Sequence, residues 1–189
     1  MVARSSFVRR TLTTLATMAA ADKKAMRTAM RSTLRPLSED QIRTASERAC
    51  ARAAGLDALQ RAAAVSIYLA MPKGECQTLP LLSMLFEHKK AVFVPRVEGP
   101  DRNDMRMLRV QSMAQLDSFP RSNWGIPEPT AAEAETLEDG LTNAIIDTVI
   151  VPACAFDATC HRLGHGKGYY GAHSQVCLCI SSPFATCPC

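Results

Sequence analysis

Apolar residues recur at helical spacing directly after a leader that lacks acidic residues. Met26, Met30 and Leu34 are each four residues apart, and basic and small polar residues fill the positions between them. This spacing predicts an amphipathic helix with Asp22 as its N-cap. The helix should end before Pro36, because a proline disfavours helical backbone in the residue that precedes it.

Two more helices are predicted from capping residues and apolar spacing. Ser38 and Gln41 form a capping-box pattern, and the apolar spacing after them continues to about Arg61, although Gly55 weakens the end of this helix. A third helix is predicted over Thr78–Lys89. Its proline lies in the first turn, where a missing N–H is tolerated.

Short apolar runs alternate with these helices and predict β-strands. The runs are Val65–Ala70, Ala91–Pro95, Asp104–Val110 and Ile145–Val151. A charged turn from Met71 to Glu75 follows the first run, and Glu75 is a candidate site residue because ligands bind at strand carboxyl ends in open α/β sheets. The alternation predicts a single α/β domain with a mostly parallel or mixed sheet flanked by helices.

The segment before the last predicted strand is less regular. Pro127 and Pro129 exclude helix from part of residues 117–130, where Trp124 is expected to anchor the loop by packing. Residues 131–140 are acidic and are predicted to form a surface helix or loop. The sequence contains no internal repeat and no break typical of a domain boundary.

Composition and charge narrow the class of protein. The chain has 189 residues, of which 47% are hydrophobic and 21% charged, as expected for one globular domain. Its net charge is +4, and three leader arginines account for all of this except +1. A nearly neutral body argues against nucleic-acid binding. The apolar run Ala144–Phe156 contains Asp147 and is too short to span a membrane.

The leader and the cysteines bear on location. Residues 1–20 are rich in Arg, Ser and Thr and fit a mitochondrial transit peptide, the alternative being a disordered extension with translation starting at Met18. The predicted location is therefore the mitochondrial matrix or the cytoplasm. Four of the eight cysteines crowd into the last thirteen residues. Because no secretory signal is visible, reduced thiols are expected rather than disulfides.

A basic glycine-rich loop follows the last predicted strand in the stretch Val149–Gly171. Its closely spaced glycines let backbone N–H groups approach a ligand, and Arg162 and Lys167 can neutralise the charge of that ligand. The spacing matches neither the dinucleotide pattern nor the phosphate loop of nucleoside triphosphatases, where a hydroxyl would stand in place of Tyr169. These residues alone predict a phosphate-binding loop, with a purely structural turn as the alternative.

The loop and its strand, VPACAFDATCHRLGHGKGYYG, resemble the signature of the 5-formyltetrahydrofolate cyclo-ligase family, which usually reads VPGLAFD followed by RLGxGxGYYDR. Further segments resemble the family in the same order. They are KKAMR at Lys23–Arg27, IYLAMPKGE at Ile67–Glu75 and NWGIPEP at Asn123–Pro129. The resemblance covers about Asp22 to Tyr170 and identifies residues 22–171 as a cyclo-ligase-like domain.

The resemblance implies a ligase that converts 5-formyltetrahydrofolate into 5,10-methenyltetrahydrofolate, using ATP and Mg²⁺ and releasing ADP and phosphate. In this reaction the formyl oxygen is a poor leaving group until ATP phosphorylates it, and folate N10 then closes the ring. The protein would mainly position the reactants and neutralise charge. The implied partners are ATP and 5-formyltetrahydrofolate, without nucleic acid or membrane, and the chain is expected to be a monomer.

The resemblance also implies the site residues. ATP would contact the start of the first helix and the glycine loop, at Lys23, Lys24, Ala25, Met26, Arg27, Arg162, Leu163, Gly164, His165, Gly166, Lys167, Gly168, Tyr169 and Tyr170. The folate would contact Arg27, Leu69, Glu75, His165, Gly166, Lys167, Gly168 and Tyr169. Glu75 suits a pterin, because a carboxylate can accept hydrogen bonds from a ring N–H and an amino group together.

The chain departs from the family where a metal-linked aspartate normally follows the two tyrosines. That position is Gly171 here, so no residue is assigned as a metal ligand. The usual glycine, leucine and glycine of the signature are replaced by Ala153, Cys154 and Cys160. His161 and His165 lie near these cysteines in the sequence, but loop histidines and buried thiols are favoured over a metal site.

Residues 172–189 form an atypical Cys-rich tail where the family has a helix, another strand and a second acidic position. A zinc site and a wrongly framed or unspliced sequence are alternative explanations for Cys177, Cys179, Cys187 and Cys189. Because the C-terminal elements of the family are missing, we expect an exposed sheet edge, marginal stability and impaired activity. The functional alternative is a non-catalytic folate- or nucleotide-binding protein.

Overall fold

The computed structural model describes residues 19–157, 161–172 and 177–179, and within them a five-stranded sheet forms the centre of the protein. In spatial order the strands are β3 (Met105–Val110), β2 (Ala91–Val97), β1 (Ala64–Ile67), β4 (Thr148–Val151) and β7 (Cys177–Cys179). β1 is parallel to β2 and β4, β4 is parallel to β7, and β2 is antiparallel to β3. The predicted mixed α/β sheet is confirmed.

Helices flank this sheet. They are α1 (Ala20–Leu34), α2 (Glu39–Ala54), α3 (Asp57–Arg61), α4 (Leu79–Glu87), α5 (Met113–Ser118) and α6 (Ala131–Thr136). A hairpin of β5 (Ala155–Phe156) and β6 (Arg162–Leu163) follows β4, and a 3₁₀ turn spans Tyr169–Ala172. Across the described ranges, no helix has both the length and the apolar character needed to cross a membrane.

Alternate residues of the central strands enter two apolar clusters, because side chains alternate between the faces of a sheet. Val65 and Ile67 belong to the larger cluster, which also contains Leu82 and Leu85 of α4. Phe93 belongs to the smaller cluster. All residues of β1 and β4 are buried, as expected for parallel strands that are covered on both faces.

Two predicted helix boundaries are wrong. α1 begins at Ala20 with Ala19 as its N-cap, so that Asp22 lies in the first turn, where its charge still complements the helix dipole. The second predicted helix is interrupted after Ala54, because Gly55 ends α2 and a separate short helix, α3, then continues to Arg61.

The predicted packing of Trp124 is also wrong. Its side chain is 69% exposed, and Ile126 of the same segment packs against the core instead. Backbone hydrogen bonds hold the loop, with the amide of Ser122 donating to the carbonyl of Ile126 over 2.9 Å. The irregular segment also begins later than predicted. Residues 117 and 118 are the last residues of α5, which begins after the N-cap Ser112.

The strands that lead to the candidate site are shorter than predicted. β1 ends at Ile67 and β4 begins at Thr148, although Tyr68 and Leu69 remain buried beyond the end of β1. β4 also has a neighbour on its other edge, because Val149 pairs with Cys177 and Val151 with Cys179 of β7. β4 is therefore paired on both of its edges, and within the described residues the sheet ends on this side at β7.

The capping box at Ser38 is confirmed and provides a test of local stability. Ser38 Oγ accepts from the Gln41 amide over 3.2 Å, and Gln41 Oε1 accepts from the Ser38 amide over 2.8 Å. We expect Ser38→Ala to lower the free energy of unfolding by about 1 kcal/mol, because it removes the hydroxyl oxygen that accepts from the Gln41 amide at the helix start. Chemical denaturation measures this change. Ser32→Ala, inside α1, is the control, and an equal loss in both variants would contradict the capping role.

Candidate functional site

The candidate site lies where the adjacent strands β1 and β4 end. These strands are parallel neighbours, so their carboxyl ends meet at one edge of the sheet. The turn Met71–Glu75 follows β1, and the β5–β6 hairpin with the glycine loop follows β4. This is the position at which ligands bind in open α/β sheets.

The turn after β1 holds Glu75 in a fixed position. Glu75 Oε2 accepts from the Met71 amide over 2.8 Å, which closes the turn across its own backbone. Gln77 Nε2 donates to the carbonyls of Met71 over 2.9 Å and Glu75 over 3.1 Å. The Glu75 side chain is only 10% exposed. The carboxylate of Glu75 is thus fixed in the turn that follows β1.

A second set of hydrogen bonds connects the residues before this turn to those after it. Thr78 Oγ1 donates to the carbonyl of Tyr68 over 2.8 Å, and the Tyr68 hydroxyl donates to the carbonyl of Cys76 over 2.8 Å. Burial raises the pKa of Tyr68, so its hydroxyl remains a donor at neutral pH. The segment that carries Glu75 is therefore fixed on both sides.

His165 of the glycine loop connects the two strand ends. Its Nε2 lies 3.1 Å from Glu75 Oε1, and its Nδ1 lies 3.5 Å from Cys154 Sγ. The hydrogen bonds to Cys154 and Glu75 raise the pKa of His165 to about 10, although partial burial opposes this shift. The imidazole is therefore protonated at neutral pH and forms an ion pair with Glu75.

Arg27 joins α1 to the glycine loop. Its Nε donates to the carbonyl of Gly164 over 2.8 Å, and a Cβ added at Gly166 would lie 3.7 Å from its guanidinium carbon. Lys23 is half-buried one turn before Arg27, whereas Lys24 and Lys167 are exposed. A cation of α1 therefore lies against the loop, and Lys167 is a cation of the loop itself.

Arg162 and Tyr169 shape the loop from within. Arg162 Nη1 donates to the carbonyl of Pro152 over 2.8 Å, and its guanidinium carbon lies 5.7 Å from the centre of the Tyr170 ring. The Tyr169 hydroxyl donates to the carbonyl of Gly99 over 3.1 Å, which connects the loop to the β2–β3 turn. These two side chains hold the loop in place.

An open cavity of about 770 Å³ lies beside the loop and is lined by residues from α1, the start of α2, the turn after β1, and the end of β4. Its volume falls within the roughly 300–1,000 Å³ typical of small-molecule sites. Cationic side chains line part of it, at Arg31, Arg35 and Lys73. Cys154 and His165 line it where it meets the loop.

The structure brings together some of the predicted site residues and separates others. Arg27, Gly164, His165 and Glu75 form one connected group. Leu69 is 6% exposed and packs in the larger core cluster. Sequence reasoning did not assign Cys154 to the site or identify the cations along the cavity. Arg31 and Arg35 are four residues apart and therefore lie on one face of the first predicted helix. This spacing could have indicated the cations along the cavity.

The described residues do not fit a resident Mg²⁺ site. Residue 171, where the family has an aspartate, is glycine. Among the residues that the structure describes, no group of at least three His, Cys, Asp or Glu side chains could hold a metal ion. No carboxylate among the described residues is therefore assigned to Mg²⁺.

Comparisons with known proteins agree on one family. The sequence model of the 5-formyltetrahydrofolate cyclo-ligase family matches residues 19–183. The probable 5-formyltetrahydrofolate cyclo-ligase of Schizosaccharomyces pombe is 32% identical over 148 residues, covering 78% of this chain and 69% of the yeast protein. The 5-formyltetrahydrofolate cyclo-ligase of Mus musculus is 28% identical over 156 residues, covering 82% of this chain and 75% of the mouse protein.

A solved structure is similar as well. The NMR structure of Aquifex aeolicus 5,10-methenyltetrahydrofolate synthetase superposes with a TM-score of 0.63 at 29% identity. The superposition covers 79% of this chain and 70% of the Aquifex chain. The sheet and its flanking helices are therefore shared with a protein of that name.

Proposed function

Because this chain belongs to the 5-formyltetrahydrofolate cyclo-ligase family, we propose that it converts 5-formyltetrahydrofolate into 5,10-methenyltetrahydrofolate with ATP, releasing ADP and phosphate. The 2.8 Å hydrogen bond from Arg27 to the Gly164 carbonyl supports this function most directly. It connects the glycine loop, which suits a phosphate, to the helix that lines the adjacent cavity, which suits a folate. Both reactants would then meet at His165.

The reaction needs two steps at this junction. The formyl oxygen attacks the γ-phosphorus of ATP, the bond to the bridging oxygen breaks, and ADP leaves. Folate N10 then attacks the activated carbon, and phosphate leaves with its bonding electrons as the ring closes, while the N10 proton is lost to the departing phosphate or to solvent. The protein contributes position and charge neutralisation to both steps.

The ATP phosphates would bind the glycine loop between the cations of α1 and Lys167. Backbone N–H groups approach a phosphate most closely where no Cβ intervenes, and Gly166 and Gly168 have φ angles of +114° and +86°. Arg27 would bind at the border between phosphate and folate. The other residues of the predicted ATP and folate contacts are part of the same proposal.

The pterin would bind where the cavity meets Gly74 and His165, next to Glu75. Both oxygens of Glu75 already accept a hydrogen bond, and each keeps a second acceptor position for a pterin N–H group. The benzoyl-glutamate part of the folate is anionic. Arg31, Arg35 and Lys73 along the cavity would bind its carboxylates.

The replacement of aspartate by Gly171 favours a second candidate, a protein that binds folate or nucleotide without turnover. The two candidates share the binding site and differ only in product formation. The monomeric state, and a location in the mitochondrial matrix or cytoplasm, remain predictions from the sequence.

Equilibrium binding tests the shared part of the proposal. Isothermal titration of the full chain with a non-hydrolysable ATP analogue and with 5-formyltetrahydrofolate is expected to give one site for each ligand. Each ligand should also raise the midpoint of thermal unfolding, because it binds only the folded state. A folded protein that binds neither ligand would contradict both candidates.

Gly166→Ala tests the phosphate loop. Residues with a Cβ rarely adopt a φ of +114°, so the loop must shift or carry strain of roughly 1–2 kcal/mol. We expect the Kd of the ATP analogue to rise about tenfold, since tenfold corresponds to about 1.4 kcal/mol.

Gly55→Ala is the matched control. Its φ is −80°, and an added Cβ would lie 3.5 Å from the Arg52 carbonyl oxygen, which is ordinary contact. This variant should bind the analogue as the wild type does. An unchanged Kd in Gly166→Ala would remove the loop from the nucleotide site.

A further inference from the structure

Cys154 occupies an unusual position for a buried thiol. It is 6% exposed, yet it lines the open cavity together with His165. Its amide donates to the carbonyl of Leu163 over 2.7 Å, so the β5–β6 hairpin fixes the backbone that carries the sulfur. The thiol is therefore held in place at the cavity wall.

The imidazole of His165 connects this thiol to a carboxylate. Nδ1 lies 3.5 Å from Cys154 Sγ, and Nε2 lies 3.1 Å from Glu75 Oε1. A protonated imidazole that contacts a thiol through one nitrogen and a carboxylate through the other stabilises the thiolate and so activates a cysteine nucleophile. Glu75 is itself fixed by the Met71 amide, so the order thiol, imidazole, carboxylate is held at both ends.

We infer that Cys154, His165 and Glu75 form an activated thiol within the cavity, a covalent modification site for small carbon electrophiles. The protonated imidazole of His165, paired with Glu75, donates to the Cys154 thiolate and stabilises it, and the thiol proton is released to solvent. The thiolate, and not the thiol, is the nucleophile. Covalent addition at Cys154 would then fill the end of the cavity nearest the glycine loop.

Iodoacetamide is the probe for this site. The sulfur of Cys154 forms a bond to the methylene carbon, the carbon–iodine bond breaks, and iodide leaves with the electron pair. The thiol proton has gone to solvent on formation of the thiolate, so the reaction balances without another reagent. The measurement is the alkylation rate of Cys154 in the folded full chain at pH 6, followed by mass spectrometry of its peptide.

At pH 6 an ordinary thiol with a pKa of about 8.5 is only ~0.3% thiolate, so activation is easily detected. We expect His165→Gln to slow alkylation of Cys154 at least tenfold, and Glu75→Gln to slow it by a smaller factor. The charged groups facing this pair or lining the same cavity are Glu75, Arg31, Arg35, Glu39 and Lys73. These groups are unchanged in His165→Gln.

Two comparisons serve as controls. His88→Gln replaces an exposed histidine whose Nδ1 lies 2.8 Å from the Met84 carbonyl oxygen within its own helix, and it should leave the rate unchanged. Cys76 is an internal standard in the same protein. A hydrogen bond with Cys50 lowers its pKa, so its alkylation should not depend on His165.

An equal alkylation rate of Cys154 in the wild type and His165→Gln would overturn the inference, as would equal slowing of Cys76 and Cys154 in that variant. Protection by 5-formyltetrahydrofolate is a separate readout that rests on the proposed function. If His165 dependence is found without such protection, the activated thiol stands and the folate position is wrong.

Discussion

Glu75→Gln is expected to lower kcat/KM for 5-formyltetrahydrofolate at least ~100-fold, which corresponds to about 2.7 kcal/mol of transition-state binding. The carboxylate accepts from the Met71 amide and from His165, and both partners are donors. A glutamine has one acceptor oxygen, so its amide group must face one of these donors. The hydrogen bond to the Met71 amide or the one to His165 is then lost, and the ion pair with His165 is lost in either case.

Steady-state kinetics of the purified variant measure this effect, with circular dichroism to show that it remains folded. Glu39→Gln is the matched control, because Glu39 is a carboxylate that lines the adjacent cavity from the exposed start of α2. We expect the control to stay within about threefold of the wild type. A similarly small change in Glu75→Gln would exclude Glu75 from the substrate site.

Arg27→Met is expected to raise the KM for ATP at least ~30-fold and to lower kcat as well. The substitution keeps an apolar stem but removes the bond from Nε to the Gly164 carbonyl and the charge beside Gly166. Charge-assisted hydrogen bonds contribute about 1.5–3 kcal/mol, which is tenfold or more in affinity. The loop also loses its connection to α1, so both substrates should be affected.

Arg48→Met controls for the loss of a basic residue from a helix. Arg48 is exposed on α2. The Arg48→Met variant should leave both KM values unchanged within error. Initial rates at varied ATP and at varied folate concentrations give the KM values of both variants. If Arg27→Met weakens neither substrate, the connection between loop and cavity has no functional role.

Much of the fold follows from local patterns. The capping box at Ser38 and the apolar run that becomes β4 were readable because each depends on residues close in sequence. The antiparallel pairing of β2 with β3 was not predicted. The short segment between Val97 and Met105 leaves no room for the crossover that a parallel pair needs, so this pairing was available from the loop length.

Other features depend on contacts between distant residues. Trp124 was expected to pack because large aromatic side chains usually do, but the loop is held by its own backbone and by Ile126. The Cys177–Cys179 strand is too short for its pattern to be recognised, and it exists through pairing with β4. No local sequence pattern indicates that Trp124 is exposed or that Cys177–Cys179 forms a strand.

In the candidate site, too, some features follow from local sequence and others depend on contacts between distant residues. The glycine loop and Glu75 were identified from motifs, and the structure brings them together through His165. The contact between Cys154 and His165 depends on the register of the β5–β6 hairpin, in which Ala155 lies opposite Leu163. That register is a property of the folded hairpin, so the thiol could not be assigned to the site from spacing alone.

Turnover of the full chain tests the central claim most directly. Purified protein is mixed with 5-formyltetrahydrofolate and ATP, and 5,10-methenyltetrahydrofolate is followed by its absorbance while ADP is quantified. We predict methenyltetrahydrofolate and ADP in a 1:1 ratio, with neither formed when ATP is omitted. Folded protein that binds both ligands but forms no methenyltetrahydrofolate above the protein-free rate would contradict the enzymatic function and favour a non-catalytic binding protein.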